Sequence, residues 1–93
     1  MKKLSPDSLA AELKSLPEWS LDEEKLHRTF NFHSFPQAFS FMTRVAFECE
    51  SLNHHPEWFN VDRTLRVWLT THDVQGISTT DIQLAHTMDD FFA

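Results

Sequence analysis

The chain has 93 residues, 41% of them hydrophobic and 24% charged, with a formal net charge of −6 at pH 7. That length supports one domain, residues 1–93, with a single modest core. The acidic balance and the scatter of Lys2, Lys3, Lys14, Lys25, Arg28, Arg44, Arg63 and Arg66 exclude a surface that binds nucleic acid directly by neutralising phosphates, and no apolar run nears the roughly 20 residues of a membrane-spanning helix.

Cys49 is the only cysteine. An intramolecular disulfide and a cysteine-rich zinc site are thereby excluded, and a reducing, cytoplasmic or nuclear setting is expected. The opening MKKLSPDSLAAELKSL is basic at its start, but Ser5, Pro6, Asp7 and Glu12 interrupt any apolar core, so it does not read as a signal peptide.

In chain order, SPDSLAAELKSL predicts a helix. Ser5 can cap it, Pro6 sits where a missing N–H costs nothing, Leu9, Leu13 and Leu16 form a stripe, and Pro17 ends it. WSLDEEKLHRTFNF predicts a hairpin turning at Asp22 to Lys25. Its second strand alternates Leu26, Arg28, Phe30 and Phe32 with His27, Thr29 and Asn31.

SFPQAFSFMTRVAFECESLN predicts the longest helix, from Ser34 to about Asn53. Phe35, Ala38, Phe39, Met42, Ala46 and Cys49 recur at helical spacing, and Phe41, Val45 and Leu52 widen the stripe. Phe35, Phe39, Phe41 and Phe47 are expected in the core. WFNV and LRVWLTT predict two strands joined by Asp62 to Thr64, with Leu65, Val67 and Leu69 on one face and Arg66 and Trp68 on the other. The only glycine, Gly76, ends the loop after HDVQ. Ser78 and Asp81 have capping-box spacing ahead of the last helix, TTDIQLAHTMDDFF.

The order α-β-β-α-β-β-α brings strands as hairpins. An α+β two-layer fold is expected, a four-stranded antiparallel sheet with helices packed on one face. Such a sheet leaves a free edge, which a second subunit can cover, so a homo-oligomer, a dimer or tetramer, is expected.

His54 and His55 stand together before Pro56, where the helical pattern gives way to an extended one. If the strands at 57–61 and 65–70 pair as a hairpin, His72 returns beside them. Near neutral pH one imidazole can donate a proton while another accepts one. Glu50, one helical turn before His54, is placed to orient an imidazole, and Trp58 and Trp19 offer flat walls for a heterocycle. Zinc is the competing functional reading. Adjacent histidines chelate one ion awkwardly, however, and no helical His-x-x-x-His spacing occurs. His27, His33 and His86 read as ordinary polar residues, Cys49 as a small core residue and Asp81 as a helix cap.

FMTRVAFECESLNHHPEWFNV followed by LTTHDVQGISTTDIQLA resembles the pterin-4a-carbinolamine dehydratases, also called dimerisation cofactors of a homeodomain transcription factor. Glu50, His54, His55, Pro56, His72 and Asp81 fall at the family's spacings, and the likeness extends back through WSLDEEKLHRTFNFHSF. The resemblance implies a four-stranded antiparallel α+β fold, no metal and no bound cofactor. It implies dehydration of 4a-hydroxytetrahydropterin to quinonoid dihydropterin, the recycling step after aromatic amino acid hydroxylation. Residue by residue, it assigns acid–base roles to His54, His55 and His72. Pterin contact falls to His54, His55 and Pro56 and to Thr71, His72, Asp73 and Val74, with Glu50 and Asp81 beside them. A binding module that stabilises a transcription factor or a hydroxylase is the alternative. The family's usual Tyr falls at Asp62, and Asn53 and Thr80 stand where many relatives carry Asp and Arg, changes that bear on affinity and rate.

Overall fold

The computed structural model describes residues 1–93. Its elements are α1 (Pro6–Leu13), β1 (Ser20–Asp22), β2 (Lys25–Asn31), α2 (Phe35–Leu52), β3 (Glu57–Val61), β4 (Thr64–Leu69), a 3-10 turn (His72–Val74) and α3 (Thr79–Phe92). The α-β-β-α-β-β-α order is as expected, with the 3-10 turn added in the loop before Gly76.

All four strands pair antiparallel in the order β1-β2-β4-β3. Alternation decides the faces. Leu65, Val67 and Leu69 of β4 are buried, as are Leu26 and Phe30, which stand opposite Leu69 and Leu65 on β2. Phe41, Val45 and Cys49 of α2 and Leu84, Ala85 and Met88 of α3 join the same core. Each large apolar side chain so buried is worth about 1.5–3 kcal/mol. The other face carries His27 stacked on Trp68 at 4.6 Å between ring centroids, and the Trp68 indole N–H donates to Asp22 at 2.8 Å.

Two sequence expectations need correction. Helix α1 was expected to run to Leu16 but ends at Leu13. The N–H groups of Lys14, Ser15 and Leu16 bond three residues back, and this tighter turn lets Leu16 drop fully into the core. On α2, Phe41 is buried, but Phe35, Phe39 and Phe47 are 46%, 54% and 74% exposed. The buried line runs through Ala38, Phe41, Val45 and Cys49. At about 100° per residue the other three phenylalanines turn away from the sheet, a distinction that hydrophobicity alone does not make.

Arg28 points to the core face by the same alternation as Leu26 and Phe30. Its guanidinium lies 4.3 Å from the centre of the Phe30 ring and donates to Asp89 Oδ1 at 2.6 Å. The Trp19 indole N–H donates to the same oxygen at 2.8 Å. A largely buried arginine is tolerated because its charge is paired and its plane rests on an aromatic face.

Candidate active site

Asn53 ends α2 in the left-handed conformation, and the His54 N–H bonds back to the Cys49 carbonyl at 2.9 Å. Pro56 follows, and β3 starts at Glu57. In the β3–β4 register, Glu57 stands opposite Trp68, so residues 54–56 face the continuation of β4 through Thr70 and Thr71. Thr71 and Gly76 exchange backbone hydrogen bonds at 2.8 and 3.3 Å and pinch off the loop that carries His72 and Asp73. The hairpin thus brings His72 to the same end of the sheet as His54 and His55. All three line one hollow of about 380 Å³.

Each imidazole has its own carboxylate. His54 Nε2 lies 2.6 Å from Asp81 Oδ1, His55 Nε2 lies 3.3 Å from Glu50 Oε1, and His72 Nε2 lies 3.3 Å from Glu57 Oε2. The pairs differ sharply in solvation. The side chains of His54 and Asp81 are 11% and 0% exposed. Those of His55 and His72 are 62% and 80% exposed.

Asp81 is a hub. Its Oδ2 accepts from the Ser78 N–H at 2.9 Å, completing the capping box of α3, and from the Thr71 hydroxyl at 2.7 Å. The Ser78 hydroxyl meets Thr71 Oγ1 at 2.7 Å. With Asp81 accepting at both oxygens, His54 presents Nε2–H to it and keeps Nδ1 free to take or release a proton. Capping and orienting an imidazole are therefore a single arrangement, not the alternatives that spacing suggested.

The expected residues divide clearly. His54, His55, Pro56, Thr71, His72 and Asp73 line the hollow. Asp81 and Glu50 stand behind the imidazoles they contact. Val74 belongs to the 3-10 turn but not to the lining. Trp58 stands opposite Val67 and packs against the core, on the face away from Glu57. Trp19 is overturned as a ligand wall: it is buried in the core, and its N–H is committed to Asp89. No three His, Cys, Asp or Glu side chains are grouped as a metal ion would need.

Sequence reasoning missed Glu57 and Met1. Glu57 also accepts from Lys25 Nζ at 2.7 Å, and that hydrogen bond raises the Lys25 pKa above its ordinary value. The signal was present, because Glu57 begins a strand beside the histidine pair. Met1 carried no such signal. Its sulfur lies 3.2 Å from the Ser78 hydroxyl and 3.6 Å from that of Thr80, at the rim of the hollow. The N-terminal arm is tied down by the Leu4 N–H to the Ile77 carbonyl at 2.8 Å. A Cβ at Gly76 would meet the flexible Lys3 side chain, 2.6 Å from its Cε, which would have to move aside.

Residues 2–91 match the family model described as Pterin 4 alpha carbinolamine dehydratase. A Novosphingobium aromaticivorans protein is 51% identical over 91% of this chain and 88% of its own length, and one from Mesorhizobium japonicum is 46% identical over 98% and 95%. Both names assign them provisionally as pterin-4-alpha-carbinolamine dehydratases. The crystal structure of a Brucella melitensis protein described as a transcriptional coactivator/pterin dehydratase superposes with a TM-score of 0.96 at 34% identity, covering 99% of this chain and 100% of that one.

Proposed function

The chain belongs to the Pterin 4 alpha carbinolamine dehydratase family, and from that premise we propose that it is a hydro-lyase converting 4a-hydroxytetrahydropterin to quinonoid dihydropterin through His54, His55 and His72. The observation that carries this reading is the 2.6 Å contact of His54 with the buried Asp81, at the wall of a hollow that two further imidazoles share.

The reaction breaks the C4a–oxygen bond and the N5–H bond, forms C4a=N5 and releases water. A protonated imidazole delivers a proton to the departing hydroxyl, and a neutral one removes the proton from N5. His54, oriented by Asp81, takes a principal proton-transfer role. His55 and His72 divide acid duty and substrate orientation. Pro56, Thr71 and Asp73 flank the ring, partly through backbone groups. Proton transfer of this kind contributes about 10²–10⁴-fold, or roughly 3–5 kcal/mol. The side chains already present supply it, with no metal or bound cofactor, in the cytoplasm, where the product returns to an aromatic amino acid hydroxylase.

The test is acceleration of the ultraviolet change when purified protein is added to chemically generated 4a-hydroxytetrahydropterin. A rate no greater than in buffer defeats the proposal. A metal chelator is expected to leave the rate unchanged, and loss restored by zinc would return the site to metal chemistry.

The second reading, a dimerisation cofactor for a transcription factor or hydroxylase, draws support from the coactivator description of the Brucella melitensis protein. Four paired side chains, Glu50, His54, His55 and His72, favour the enzyme, since a scaffold requires none of them. We further propose that a second copy of this chain covers the open β3 edge, where Phe59 and Val61 are 52% and 56% exposed. A solution mass of a dimer or tetramer is expected, and a monomer would refute it.

A further inference from the structure

His72 is held by its backbone more than by its ring. The Thr71–Gly76 bridge closes the loop, and the Gln75 N–H donates to the His72 carbonyl at 3.0 Å. The imidazole itself is 80% exposed, and its one ionic partner is Glu57, whose Oε2 lies 3.3 Å from Nε2. That carboxylate is tethered at its other oxygen, where Lys25 Nζ donates to Oε1 at 2.7 Å.

The tether crosses a strand. Lys25 starts β2, Glu57 starts β3, and β4 runs between them. Glu57 stands opposite Trp68, and Lys25 precedes Leu26, which stands opposite Leu69. By alternation both side chains project from the face away from the helices, and their ion pair spans β4. The two are 29% and 40% exposed, a setting in which an ion pair adds little to stability. Glu50, the counterpart at His55, is 83% exposed and carries no such tether.

We propose that Glu57 is a positioning residue for His72, with Lys25 fixing which way its carboxylate faces. The inference rests on the dehydratase reading and deepens it. A carboxylate oxygen at Nε2 can only accept, so the neutral ring carries its proton there and offers Nδ1 to the substrate. The same charge steadies the ring once it is protonated. Lys25 can only donate and therefore requires an acceptor. A carboxylate satisfies both neighbours at once, whereas an amide has to choose.

That choice supplies the experiment. In Glu57→Gln the amide oxygen stays on Lys25 and the NH₂ donates to Nε2, which drives the ring proton to Nδ1. The kcat is expected to fall about ten-fold while KM stays within about two-fold. In the Glu57→Gln/Lys25→Met double variant the amide is free to turn, and its oxygen accepts from Nε2–H. The kcat is then expected to return to within about three-fold of the parent, with circular dichroism unchanged in both variants. A double variant no faster than the single one, or a single variant with parental kcat, would overturn the proposal.

Absence of turnover in the unaltered protein overturns the dehydratase reading instead. Nitrogen-15 spectra of the imidazoles at about pH 8.5, with the His72 signals identified by their loss in His72→Gln, then decide the positioning role by themselves. The Nε2–H ring is expected in the parent and the double variant, and the Nδ1–H ring in Glu57→Gln. One and the same tautomer in all three counts against it.

Discussion

Asp81 Oδ1 sits 2.6 Å from His54 Nε2 while the other oxygen of the same carboxylate holds the first turn of α3. Asp81→Asn tests both duties at once. With the amide oxygen kept toward the Ser78 and Thr71 donors, the NH₂ faces His54 and donates to Nε2, which forces the ring proton onto Nδ1, the opposite tautomer. Turnover is expected to fall at least about ten-fold, with a stability loss of about 0.5–1.5 kcal/mol as hydrogen bonds to a charged acceptor become neutral ones. Steady-state assay and thermal unfolding of the same preparation check the pair of effects.

The three histidines are expected to separate in stability even where they agree in activity. His54→Ala orphans one oxygen of a fully buried carboxylate, a cost of about 1–3 kcal/mol, or a melting temperature lower by roughly 4–24 °C in a domain of this size. His55→Ala and His72→Ala remove side chains that are 62% and 80% exposed, and both variants are expected to melt within about 3 °C of the parent. Each of the three is expected to lose about ten-fold or more in turnover. Full activity in the folded His54→Ala protein would remove that residue from the chemistry.

Arg28, Asp89 and Trp19 form a partly buried polar cluster outside the lining of the hollow. Asp89→Ala strands both the guanidinium and the indole N–H, and a loss of about 3–5 kcal/mol is expected. Replacing both charged partners, Arg28→Met with Asp89→Leu, removes the orphan and is expected to recover most of that loss. Urea unfolding followed by Trp fluorescence measures the difference between the single and double variants.

Burial pushes the Cys49 thiol up to about 11 from an ordinary 9.0. Above pH 9 the unfolded chain gives up this proton first and binds fewer protons than the folded one. Stability therefore falls as pH rises, by about 2–3 kcal/mol once both states are ionised near pH 11. Lys25 acts in a higher window: its raised pKa gives a contribution intact below about 10.5 and lost as pH climbs through the folded value. Unfolding free energy measured from pH 8.5 to 10 is expected to decline less steeply in Cys49→Ala than in the parent.

Strands and capping residues were readable from the chain because they depend on neighbours in sequence. The alternation through β4 fixed the inner face, Ser5, Ser34 and Ser78 marked three helix starts, and the Ser78–Asp81 spacing identified the capping box. The convergence of His72 on His54 and His55 followed from hairpin pairing, which is also local. What escaped depends on neighbours distant in sequence. The partner of Trp19 lies 70 residues away at Asp89, and nothing near Trp19 announces it. Met1 reaches Ser78 across 77 residues. On α2 the pattern showed too many phenylalanines for one stripe but not which of them the sheet would accept. That choice needs the position of α3, whose Leu84, Ala85 and Met88 share the core with Phe41 and Val45.

The chain has one glycine, yet Glu23, Glu24 and Gln75 adopt positive φ angles of 52°, 64° and 54°, and all three line the space beside His72. Long side chains held in this left-handed region cost about 1–2 kcal/mol each. Selection for robustness alone would have favoured glycine at such corners, so this end of the molecule has slack that an engineer can take up. Glycine at these three corners should give a hardier protein.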